Sequence, residues 1–307
     1  MISKARRNAG IQRGNNMRLL PALLLSAFTA FTMSDAPFKK ITNLQYAKVD
    51  NHALALDLYL PAAQNAPLIV WVHGGAWRAG SKDFMPLTAL VESGYAVASI
   101  DYRLSTVAKF PALIQDCKGA IRWLRANESR YGYNANRICI AGNSAGGHLA
   151  ALIGTSNGVK ALEGTVGGHA DQSSDVQAIA SYYGASNLTS ILSQSTPHGL
   201  SVRVPALKLL LGDTPDQVKE LAQLASPVFH VDKNDPPLLL LHGDQDPQMP
   251  INQAHELHGR YKALKLDVAF EVLHGAAHGG AMFYDAQRNA VVKAFLDRTL
   301  QPSSRPE

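Results

Sequence analysis

Two cysteines in 307 residues are too few for a disulfide-dense scaffold or a four-thiolate zinc site. Cys117 continues a helical stripe of Phe110, Leu113 and Ile114, and Cys139 lies inside the strand-like "RICIAG". Both read as buried core thiols, with a disulfide between them as the alternative in an oxidising compartment. No internal repeat is visible, no Pro/Ser-rich linker divides residues 40–300, and no sugar-stacking aromatic surface or separate binding module can be read. One domain over residues 35–307 is therefore expected. The formal charge of +5 also lacks meaning for the folded part. Lys4, Arg6, Arg7, Arg13 and Arg18 all precede residue 20, and without the first 34 residues 24 basic side chains face 24 acidic ones. Electrostatics gives no case for nucleic acid.

The same five basic residues precede "LLPALLLSAFTAF" and the small-residue segment "TMSDA", the layout of a secretory signal peptide over residues 1–34, with Met17 as an alternative start. The apolar stretch is too short to span a bilayer, and no cysteine near the cleavage region could accept a lipid. A secreted or periplasmic protein without a stable membrane anchor is expected, an N-terminal anchor being the competing reading.

With 46% hydrophobic and 17% charged residues, the chain is globular with a large core. Short apolar runs alternate with helical patterns. Strands are expected at 68–72, 95–100, 137–141, 178–183, 237–242 and 267–273, and helices at 111–128, 251–264 and 286–300. "ALALDLYL" (53–60) alternates apolar and polar residues as an antiparallel strand at a sheet edge does. The series predicts an α/β fold with a mostly parallel sheet. Segments 157–175 and 187–215 break the alternation and are candidates for lid and specificity loops, or for ordinary surface excursions.

"GNSAG" (142–146) sets Ser144 between a buried-type strand and a helix beginning near Ala145. A nucleophile on such a corner needs a strained backbone that lifts its hydroxyl out of the sheet, and Gly142 and Gly146 let the two arms approach. Small residues also suit an innocent turn, and the strand-turn-helix setting favours catalysis over it. "VHGGAW" (72–77) follows an earlier strand. Paired glycines there allow backbone N–H groups to come close to a developing oxyanion, so Gly74 and Gly75, with the N–H of Ala145, are the candidate donors. Trp77 is either a wall of the substrate pocket or a core-edge aromatic.

These motifs, with "DYRLS" (101–105) and "HGDQDPQMP" (242–250), resemble the α/β-hydrolase superfamily over about residues 45–300, and most of all its hormone-sensitive-lipase-like and acetylxylan or feruloyl esterase (BD-FAE-like) members. The resemblance implies an α/β-hydrolase fold with helices on both sheet faces, a Ser-Asp-His order and no cofactor. A serine needs an imidazole to take its proton and a carboxylate to orient that imidazole. Two aspartates and two histidines are available, and local chemistry alone does not separate Asp244 from Asp246. The resemblance implies Asp246, three residues after His-Gly, and His278, in the Gly-x-x-His pattern "GAAH" (275–278). It also implies a structural role for Asp101, Tyr102 and Arg103. His274 then finishes a strand, and His148 is structural. A zinc pair of His274 and His278 lacks a helix, a third ligand and the zincin glutamate, and "HELH" (255–258) has the wrong spacing.

The reading that follows is a serine carboxylic-ester hydrolase acting on short acyl, acetyl-type esters of a small molecule or of acetylated or feruloylated polysaccharide. Its rivals are an arylformamidase-like amidase, a non-catalytic binding protein on the same fold, and a metallohydrolase.

Overall fold

The apolar runs resolve into one eight-stranded sheet of order β1-β2-β4-β3-β5-β6-β7-β8. The strands are β1 (Phe38–Val49), β2 (His52–Pro61), β3 (Ala66–Val72), β4 (Ala96–Ile100), β5 (Tyr133–Asn143), β6 (Ala178–Tyr182), β7 (Leu238–Gly243) and β8 (Val268–Leu273). They belong to a computed structural model that describes residues 37–300. The expected leader and the alternative start at Met17 lie outside the described residues. Among those residues no helix is long and apolar enough to cross a membrane.

β2 runs antiparallel to β1 and to β4, and every other pairing is parallel. The strand expected at the edge is thus second from it, and the edge itself is β1, which the apolar pattern does not announce. "FKKITNLQYAKV" is mostly exposed, is interrupted by two register shifts and turns through Asn43 at φ 57°. Lysines and bulges are how an edge avoids pairing with another chain, and they hide the strand from a search for alternation.

β3 shows how the core divides. Side chains alternate across a strand, so Leu68, Val70 and Val72 enter one core with Cys117 of helix Ala112–Ala126 and Leu149 of helix Ala145–Thr155. Ile69 and Trp71 enter the other, with Cys139 and with Phe295 and Leu296 of helix Ala286–Leu300. A strand apolar on both faces is what burial between two helix layers requires. The two cysteines are free and belong to opposite cores.

Parallel register aligns the strand ends that carry the polar motifs. Val72 lies beside Gly142, and Gly243 beside Leu273. The segments that follow, with Gly75, Ser144, Asp246 and His278, therefore leave the sheet at one C-terminal edge, where ligands bind in open α/β sheets. The segment 187–215 is not a plain loop. It contains helix Pro197–Leu211, whose N-cap Thr196 accepts from Gly199 N at 3.0 Å and which ends on Gly212 at φ 98°. The segment 157–175 packs elsewhere, against helix Ala112–Ala126. There Glu163 meets Lys118 at 3.0 Å and Arg122, and Arg122 also donates to Val166 O.

Candidate active site

Ser144 sits between β5 and helix Ala145–Thr155 with φ 54° and ψ −116°, a conformation that costs a non-glycine residue about 1–3 kcal/mol. It is held there by its own backbone: Ser144 N donates to Tyr182 O at 2.8 Å, and Ser144 O accepts from His148 N at 3.0 Å. The corner closes only with glycine on either side. A Cβ on Gly142 would stand 2.4 Å from Gly146 O, and one on Gly146 would stand 2.0 Å from Val72 O.

The Ser144 hydroxyl lies 2.9 Å from His278 Nε2, and His278 Nδ1 lies 2.6 Å from Asp246 Oδ2. With Nδ1–H donating to the carboxylate, Nε2 is left to accept from the serine. The Asp246 side chain is fully buried. Burial disfavours its charge, but hydrogen bonds from His242 and His278, the nearby His278 ring and the Met249 N–H hold the carboxyl well below its usual range. Its other oxygen accepts from Gln248 N and Met249 N, both at 2.8 Å. The arrangement can move a proton from Ser144 to His278 and stabilise the resulting imidazolium.

Asp244 and His274 form a second pair in the same two loops, and it faces solvent. His274 Nδ1 is 2.8 Å from Asp244 Oδ2, its side chain is 85% exposed, and Asp244 Oδ1 accepts from Gly275 N. The two histidines thus answer to different aspartates and do not converge. Among the described residues no three His, Cys, Asp or Glu side chains gather as metal ligands. His255 and His258 instead pack on the Phe270 ring.

Ser144 and His278 open on a cleft of about 250 Å³, which Gly75, Ala76, Asn143, Tyr183, Arg203 and Gln248 also border. Gly74 departs from its expected place. It is buried away from the cleft, and its N–H donates to Asn143 Oδ1 at 2.9 Å. No backbone acceptor among the described residues engages the N–H of Gly75 or Ala76. Ala145, in the first turn of its helix, has no intrahelical acceptor for its N–H. Gly75, Ala76 and Ala145 are therefore the donors free to face a developing oxyanion.

Trp77 is a core residue, fully buried and absent from the cleft wall. Its Nε1–H donates to His148 Nδ1 at 3.1 Å, so His148 Nε2 carries the proton it gives to Ala225 O at 2.6 Å. This chain ties the glycine loop to the nucleophile helix. Tyr102 OH donates to His73 O and stacks on the His73 ring. Arg103 holds Asp116 with two bonds of 2.7 and 2.8 Å, and Asp101 accepts from Lys82 N. All three brace the loops around the site.

Three neighbours were not singled out as site residues by the sequence, although Asn143 lies inside "GNSAG". Asn143 joins Gly74 to Tyr183 OH, Tyr183 sets its ring edge-on to His278 at 4.9 Å, and Arg203 reaches the cleft from helix Pro197–Leu211. Tyr183, at φ 40°, and Arg203, on a helix of mixed polarity, reach the site only through the fold, and no local pattern in the sequence marks them.

The strand order, with a serine on the turn after the fifth strand, defines an α/β-hydrolase fold. Within that class the chain belongs to the BD-FAE family, whose model matches residues 56–261. Esterase LipC of Mycobacterium tuberculosis is 34% identical over 238 residues, 75% of this chain and 58% of the relative. The chain spans little more than half the length of that relative. A solved structure described as a truncated form of carbohydrate esterase from gut microbiota has a TM-score of 0.77 at 31% identity, covering 87% of this chain and 98% of the other. The butyrate-bound esterase Est2 of Thermogutta terrifontis gives 0.70 at 26% identity, covering 87% and 96%.

Proposed function

We propose that the protein is a serine carboxylic-ester hydrolase. The observation that carries this reading is the continuous Asp246–His278–Ser144 hydrogen-bond chain ending in the cleft beside backbone N–H groups. Ser144 attacks the ester carbonyl as His278 takes its proton, with Asp246 steadying the imidazolium. The N–H groups of Gly75, Ala76 and Ala145 hold the oxyanion. His278 then protonates the leaving alcohol, and a water activated by the same imidazole releases the acid. The esterase relatives support the reaction class.

The substrate follows from size and context. A cleft of about 250 Å³ lies below the roughly 300–1,000 Å³ of pockets for drug-sized ligands, which suits a short acyl group over a long chain. The carbohydrate esterase neighbour supports an acyl group carried on a sugar. Export, supported by the basic and apolar leader pattern, puts such a substrate within reach.

The reading is tested by a fluorophosphonate probe, followed by peptide mass mapping, and by p-nitrophenyl esters of rising chain length. Labelling confined to Ser144 and a kcat/KM that peaks at acetyl to butyryl are expected. No label at Ser144 would remove the nucleophile, and a peak at long chains would remove the short-acyl assignment.

A further inference from the structure

Among the described residues four lysine or arginine side chains are buried, and three have a carboxylate in contact. Lys82 meets Asp57 at 3.0 Å, Lys118 meets Glu163 at 3.0 Å, and Arg122 meets Glu163 at 2.5 Å. Arg203 is the exception among the described residues. It is 1% exposed, its Nε donates to Gln248 O at 3.2 Å, and its Nη1 has no hydrogen-bond partner. Its guanidinium lies 6.0 Å from the Trp77 ring. Burial pulls its pKa down to about 10, with Asp246 opposing and Arg78 adding to the shift, so it remains charged at neutral pH.

A buried guanidinium without a counter-ion is unfavourable unless something else completes it. Asp246, the carboxylate whose field it feels, is committed to His278 and His242. Yet Arg203 borders the same cleft as Ser144 and His278, and no acidic residue lines that cleft. Nη1 itself is closed off from solvent, so a partner arriving along the path the ester takes meets the cleft-bordering face of the guanidinium, where Nη2 makes no hydrogen bond among the described residues.

We propose that Arg203 is a specificity residue that receives a carboxylate carried by the ester substrate, an inference that rests on the hydrolase reading. A guanidinium presents parallel N–H donors matched to the two oxygens of a carboxylate. Bound there, the carboxylate fills vacant hydrogen-bonding capacity of the guanidinium and neutralises the buried charge while the ester carbonyl lies against Ser144. Such a group can sit on either half of the ester, and the two halves are separable by experiment.

Two matched pairs make the test: monomethyl against dimethyl adipate, with the charge on the acyl side, and 4-acetoxybenzoate against its methyl ester, with the charge on the alcohol side. For one pair, the wild-type protein is expected to favour the anion in kcat/KM by about tenfold or more, the range of a charge-assisted hydrogen bond. Arg203→Gln is expected to abolish that preference through KM while leaving kcat for the neutral ester near wild type. Arg203→Lys, which keeps the charge without the fork, is expected to fall between. Thermal melting confirms that each variant folds. Binding of monomethyl adipate and 4-acetoxybenzoate to Ser144→Ala, followed by calorimetry, is expected for the favoured anion and is lost in the Ser144→Ala/Arg203→Gln double variant.

Equal turnover of both members of both pairs by the wild type overturns the inference. So does a parallel fall in kcat for neutral and anionic esters in Arg203→Gln, which makes Arg203 a support for the Gln248 loop. If no ester is hydrolysed at all, the hydrolase reading fails, and the binding measurement still decides whether Arg203 holds a carboxylate.

Discussion

His274 and His278 differ by four positions and by nearly everything that decides chemistry. Each bonds to an aspartate, but the His278–Asp246 pair is screened from water and reaches Ser144, while the His274–Asp244 pair faces solvent. An exposed pair of this kind contributes little, because water screens it. Loss of the base from a serine–histidine unit lowers kcat by roughly 10⁴ to 10⁶-fold. His278→Ala is therefore expected to abolish turnover of a short p-nitrophenyl ester, with His274→Ala within about twofold of wild type because its bond is solvent-screened. Asp246→Asn is expected to lose about 10⁴-fold through the wrong imidazole tautomer, and Asp244→Asn little. Equal losses in the two histidine variants contradict this assignment. Ser144 was legible in the sequence because its requirements are local: two glycines, a strand before and a helix after. The expected donor pair Gly74 and Gly75 lies one position before Gly75 and Ala76, whose N–H groups are free. Which N–H of a glycine loop faces the cleft depends on Asn143 Oδ1, a partner 69 residues away that no local pattern encodes.

At the scale of elements, the two segments that broke the alternation have opposite roles. Helix Pro197–Leu211 brings Arg203 to the cleft, and its boundaries were written in Thr196-Pro197 and Gly212, a capping residue, an N1 proline and a left-handed stop. Pro205 inside it masked the periodicity. The segment 157–175 is a structural clasp away from the cleft, and Glu163 is its pin. Glu163→Gln leaves buried Lys118 and Arg122 without a full counter-charge, which is expected to destabilise the fold by about 1–3 kcal/mol, less than for a fully buried pair because Glu163 is 38% exposed and partly screened. Urea unfolding measures the loss. Short-ester kcat/KM under native conditions is expected to stay near wild type, and a large fall in it with unchanged stability would return this segment to the active site. β1 went unread for the reason that makes it a good edge: its lysines and bulges suppress the alternation that reveals inner strands.

For the whole molecule, buried neutral histidines link stability to pH. Burial lowers the pKa of His148 to about 4 and lowers that of His73 as well, against backbone hydrogen bonds that act the other way. The unfolded chain protonates these rings near pH 6.5, so between that value and pH 4 it holds more protons than the native state. Stability is then full above about pH 6.5 and is lost as the pH falls, by about 3 kcal/mol for His148 once pH 4 is passed. Asp235, whose carboxyl burial pushes up to about 7, acts in the opposite sense over the same range, so the His148 contribution is read as a difference between proteins. His148→Gln, which keeps one donor and one acceptor, is expected to lose less urea-midpoint stability than wild type as the pH falls from about 6.5 to 5. An unchanged slope in this variant contradicts the assignment of His148 as a neutral brace.

The strand order, the strained serine corner and the buried Asp246–His278 pair all serve one claim, that Ser144 is the nucleophile of an ester hydrolase. The most direct test is the turnover number of purified Ser144→Ala on p-nitrophenyl acetate, beside wild type at equal active-protein concentration. A loss of roughly 10⁶-fold, with the fold intact by circular dichroism, is expected. Wild-type turnover by Ser144→Ala would contradict it.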